Sequence, residues 1–234
     1  MRHITAAVLM VLLVSVSGLG QETGTEAEQL GADTAQQALE EVSVSRFEDP
    51  GFWKVNVPRD QGVIQHRRLE GTPADKEPIE GEQEAGIQAQ DTYVLGVKTE
   101  FFPPRSSTSI TVEPQRPLPV PGITKTISVW VVGRNFNHDL YILLRDLEGD
   151  LKRLRMGKLN FSGWKKLTVA VPPTVQQQNV HYPQLSGIQI VGFEIEPDLM
   201  EAYGDYYVYF DALRVTTDLF IEQSRDEDDM NDSW

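Results

Sequence analysis

The stretch Ile127-Ser128-Val129-Trp130-Val131-Val132-Gly133 decides the fold. Alternate residues of an extended chain share a face, so Ile127, Val129 and Val131 form one surface and Ser128, Trp130 and Val132 the other. Gly133 ends the run, which is the strongest strand signal in the chain.

Downstream, turn residues Asn135 to Asp139 lead into Leu140 to Asp146, with Leu140, Ile142 and Leu144 on one face. Glu148-Gly149-Asp150 is a tight turn feeding Leu151 to Met156, and it predicts a hairpin. Leu167, Val169 and Val171 alternate until Pro172-Pro173 stops them. A Gln-rich loop then precedes strands at Ile188 to Glu196 and Tyr206 to Val215. Upstream, Pro117-Leu118-Pro119-Val120-Pro121-Gly122 is expected to interrupt pairing, because proline lacks the ladder donor. Before it come Ser109 to Glu113, Tyr93 to Phe101, Val63 to Arg68, Phe52 to Val57 and Val42 to Phe47. Between two of these, residues 70 to 90 hold several Pro and Gly amid acidic residues and read as a long exposed loop. The pattern predicts an all-β, antiparallel two-sheet sandwich of jelly-roll type over residues 42–222.

The ends differ from this body. A basic head, Met1-Arg2-His3, precedes an apolar run from Ile4 to Val16 that is too short to span a bilayer as a helix. Ser17-Gly18-Leu19-Gly20 supplies the small residues of a signal-peptide site, cut after Gly20. Residues 21–41 read as a mobile or weakly helical lead, and 223–234, with five Asp and Glu, as a solvated acidic tail.

Function classes fall away in turn. The chain has no cysteine, which removes disulfides, thiolate metal sites and thiol nucleophiles. Its formal net charge of -14 repels phosphate backbones and anionic lipid surfaces, so neither nucleic acid nor membrane is expected as a partner after leader removal. His66, His138 and His181 have no second ligand at zinc spacing and are expected in turns or loops. No G-x-S-x-G elbow or phosphate loop occurs, and 35 acidic residues make any carboxylate pair uninformative. No catalytic, cofactor or metal residue is assigned, and no enzyme is expected.

Two features invite a binding reading. Glu48-Asp49 closes the first strand, while Asp211 interrupts an apolar last strand; the terminal strands of a sandwich often lie side by side. A buried Asp needs a backbone donor, a basic partner or a hard cation such as calcium. Tyr203, Tyr206, Tyr207, Tyr209 and Phe210, with Trp53, Trp130 and Trp164, suit a core, a protein interface or a platform for sugar rings.

From about Val42 onward, the chain resembles the spirochaetal flagellar filament outer-layer, or sheath, proteins of the periplasmic flagellum, as a shorter member. The segments carrying the resemblance are Ile127 to Asn135, Leu143-Leu144-Arg145-Asp146 with Gly149, Phe161 to Leu167, Tyr209 to Val215 and the tail Asp228 to Trp234. Several also look like carbohydrate-binding jelly rolls, with a Gly163-Trp164 turn before a strand and Asp211 in the last one. The resemblance implies a periplasmic structural protein that coats or flanks a flagellin core, contacts flagellin and other sheath proteins, and influences filament shape and motility. The alternative is a periplasmic carbohydrate-binding module.

Overall fold

The computed structural model describes residues 38–79, 91–102, 109–179 and 186–220. The expected leader, the lead as far as residue 37, loop residues 80–90, His181 and the acidic tail lie outside them. Twelve strands are described: β1 Leu39–Ser45, β2 Trp53–Asn56, β3 Gly62–Glu70, β4 Tyr93–Phe101, β5 Ile110–Pro114 and β6 Leu118–Val120, followed by β7 Ile123–Val132, β8 Asp139–Arg145, β9 Leu151–Lys158, β10 Trp164–Ala170, β11 Ile188–Glu196 and β12 Gly204–Asp218. They form two antiparallel sheets. The first runs β10-β7-β12-β4-β3, with β1 also on β12; the second runs β2-β5-β11-β8-β9, with β6 on β11. The two-sheet sandwich is the predicted architecture.

The opening stretch lies in β7, between β10 and the long β12. Its Ile127, Val129 and Val131 are wholly buried. They belong to a core in which Phe47 stacks on Trp53 at 4.6 Å between centroids and Phe193 on Phe210 at 5.2 Å. Burying rings and branched chains of this size contributes roughly 1.5–3 kcal/mol each. The cysteine-free chain is thus held by packing rather than covalent staples.

Gly133 ends β7 for a visible reason. A Cβ there would lie 2.2 Å from the backbone oxygen of Leu159, which crosses directly over it. Gly133→Ala is therefore expected to cost about 1–3 kcal/mol through overpacking, read as a lowered urea midpoint with an unchanged slope. The β8–β9 hairpin forms as predicted, and Asp146 organises its turn by accepting hydrogen bonds from Glu148 N at 3.1 Å and Asp150 N at 2.8 Å.

Three expectations need correction. Residues 118–120 pair with β11 despite their prolines, because β6 sits at the border of the sheet, with Pro119 opposite Gln189. The first strand begins at Leu39, inside the expected lead, because Glu40 and Glu41 register against Thr217 and Thr216 of β12. Residues 71–79 of the expected exposed loop pack as a strap, with Pro73 and Ile79 buried and the Lys76 side chain 7% exposed.

Candidate functional site

Strand β12 carries both features singled out in the sequence. Alternation sends Tyr206, Val208 and Phe210 into the core, where all three are buried, and leaves Tyr207 and Tyr209 on the opposite face with Asp211 next in line. A bulge against β7 follows between Asp211 and Arg214, with Ala212 at φ 45°.

The strap covers the Asp211 end of that face. Asp211 is wholly buried; its Oδ2 lies 2.7 Å from Lys76 Nζ, and its Oδ1 accepts from Ala212 N at 2.7 Å. Lys76 also reaches Asp91 at 2.6 Å, and Arg214 donates to the Glu77 carbonyl at 2.6 Å. Burial holds the Asp211 carboxyl above its ordinary pKa, with the Lys76 hydrogen bond and charge pulling the other way. The partner of this carboxylate is thus an ammonium and a backbone donor. Terminal strands β1 and β12 do lie side by side. Glu48, just past β1, accepts from Thr92 N and Tyr93 N at 2.7 and 3.0 Å, and Asp49 caps the turn at Gly51 N. Among the described residues no group of three or more His, Asp or Glu is placed to hold a metal ion.

Beyond the strap the face stays open. In register across the sheet, Trp164 of β10 lies opposite Val132 of β7, which lies opposite Tyr209 of β12, then Gly96 of β4 and Arg67 of β3. Gly96 has no side chain to fill the row, and Leu69 and Tyr209 lean over it. The result is a trough with two neighbouring compartments, about 670 and 290 Å³, with Leu69 and Tyr209 lining both. Arg134, held at φ 59°, puts its guanidinium 5.2 Å from the Tyr209 ring centre and donates to Tyr209 Oη at 3.2 Å. Lys98 spans Asp205 and the Tyr207 ring, at 2.8 and 5.4 Å. The hydrogen bond to Asp205 raises the lysine pKa and lowers that of the aspartate.

Other predicted candidates separate. Trp53 is core, Trp130 half-buried, and Tyr203 is 59% exposed near Glu201. His66 lies on β3 rather than in a turn, inside the strand expected over Val63 to Arg68. His138 is wholly buried in the turn after β7; its Nδ1 accepts from Asp198 N at 3.1 Å, and its ring lies 4.5 Å from that of Tyr206. Sequence reasoning missed Lys76 and Arg134, which carry no local pattern.

The family model described as "Flagellar filament outer layer protein Flaa" matches residues 20–225. A Brachyspira hyodysenteriae protein described as flagellar filament outer layer-like is 35% identical over 216 residues, 92% of this chain and 96% of that one. The flagellar filament outer layer protein of Treponema pallidum is 33% identical over 105 residues, 42% of this chain and 30% of that protein. Solved structures that resemble the fold include a family 11 carbohydrate-binding module from Clostridium thermocellum, at 10% identity and TM-score 0.42, covering 77% of this chain and 97% of that one. The match to the family model, together with the near full-length Brachyspira relative, shows that the chain belongs to the flagellar filament outer layer protein family.

Proposed function

We propose that this protein is a structural component of the outer layer of the periplasmic flagellar filament. It forms or flanks the sheath around a flagellin core and influences filament shape and motility. The family match over residues 20–225 carries the reading. The signal-peptide pattern supports export to the periplasm, with the leader cut after Gly20.

Such a role asks for contact surfaces and not for catalysis. Flagellin and other sheath proteins are the partners, with self-association along the filament. Edge strand β9 carries Lys152, Arg153, Arg155 and Lys158, a charged edge that discourages indiscriminate strand addition. Arg153 is tied to Glu194 and Glu196, at 2.6 Å each. On that edge, side-chain surfaces rather than an open ladder are left to make specific contacts.

Mass spectrometry of purified periplasmic flagella is expected to find this chain at high stoichiometry, with Gln21 as its first residue. Deleting the gene is expected to change filament diameter or curvature. Absence from the flagella, or filaments of unchanged diameter, curvature and composition after deletion, would overturn the reading.

A further inference from the structure

We propose that the trough on the open face of the first sheet is a binding site for an extended saccharide chain. The inference stands on the trough and not on the sheath role. Its larger compartment, about 670 Å³, falls within the volume range of small-ligand clefts. It runs across the strands, so its length is set by strand spacing. From Trp164 of β10, across β7, to Tyr209 of β12 is two spacings, roughly 10 Å. Tyr207 adds a third ring, one pleat along β12. Arg134 lies over the Tyr209 ring and Lys98 over that of Tyr207, so Trp164 supplies the surface on which the C–H face of a flat, rigid unit stacks, and the two tyrosines form cation-backed walls beside it.

The polar groups are of the matching kind. A sugar presents hydroxyls that both donate and accept, in directions fixed by its ring. The walls offer planar, multivalent partners: Gln65 and Arg67 from β3, Arg134 at the turn after β7, and the Glu70 carboxylate. Arg134 is fixed in place by Tyr209 Oη and the ring beneath it, so little side-chain freedom is lost when a ligand arrives. Leu69 and Tyr209, which close over Gly96, are the wall that the two compartments have in common. An apolar peptide segment would leave these polar groups unmatched.

The test uses the full mature protein on an array of plant, bacterial and animal glycans, followed by calorimetric titration of any glycan retained. At least one linear oligosaccharide is expected to bind in the micromolar-to-millimolar range. Trp164→Ala and Tyr209→Ala should each weaken it about tenfold or more. Arg67→Ala, a change at an exposed position, should weaken it while leaving the thermal midpoint unaltered and so separates binding from folding. Retention of no glycan by the folded protein overturns the proposal, as does binding undiminished in the Arg67→Ala and Trp164→Ala variants. Neither outcome bears on whether the chain is found in purified flagella, which is read separately.

Discussion

Replacing Lys76 by Met is expected to lower stability by about 3–5 kcal/mol near neutral pH, measured by urea unfolding. The reason is the fate of Asp211. Its side chain is 0% exposed and that of Lys76 7% exposed, so removing the ammonium strands a carboxylate that water cannot reach. Its remaining partners, Ala212 N at 2.7 Å and the Thr72 hydroxyl at 3.4 Å, do not neutralise the charge. Two controls isolate the cause. Adding Asp211→Asn to the Lys76→Met protein should restore much of the loss, because both charges are then gone. Acid should help the single variant as well. Burial already raises the Asp211 pKa, and losing Lys76 removes the principal opposing influence. A carboxyl whose folded pKa lies above its unfolded one favours the folded state at low pH and loses that contribution as pH rises through the folded pKa. The deficit of Lys76→Met should therefore narrow on acidification, whereas a simple packing defect would leave it constant.

That pair also shows where sequence reading stops. Strands β4 and β11 are found at their predicted limits, because alternation is a local signal and each strand is bounded by residues that break it. The strap is different. Its composition, rich in Pro, Asp and Glu, reads as exposed, and the burial of Lys76 depends on a carboxylate 135 residues away. No window along the chain contains both charges. The start of β1 was hidden in a related way: Glu40 and Glu41 look like solvated residues until β12 places Thr216 and Thr217 opposite them, with Lys166 and Arg214 near Glu41. Likewise the tyrosines of β12 were visible as a cluster, but their division needs the sheet. Tyr206 is a core residue and Tyr209 a wall of the trough only because β7 and β4 flank β12 in one register. Edge position, charge pairing and choice of face are properties of the assembled sandwich, while the existence of most strands is a property of the segment.

His138 sets the second large effect, a loss of stability of about 3 kcal/mol as the pH falls from about 6.5 to about 4. The imidazole is wholly buried against Phe101, Phe136 and Tyr206, and burial lowers its pKa from 6.5 to about 4. Glu201, Asp198 and Asp139 work in the opposite direction and do not overcome it. Its Nδ1 is committed as an acceptor to Asp198 N, and its Nε2 has no partner among the described residues, so a second proton would sit beside a bonded N–H in an apolar pocket. The sign follows from the binding of protons. Between the two values the unfolded chain carries a charged histidine and the folded one a neutral ring, so the unfolded state binds more protons and stability falls as pH falls. Stability is complete above pH 6.5 and is lost progressively toward pH 4. His138→Phe keeps the aromatic packing and gives up the hydrogen bond from Asp198 N, at a cost of about 1 kcal/mol at neutral pH. Because phenylalanine does not titrate, the variant should show a much flatter stability profile across that window and should become the more stable protein near pH 4.5. Urea midpoints at half-unit intervals from pH 7.5 to 4.5 read this directly, and parallel profiles for the two proteins would show that the acid sensitivity resides elsewhere.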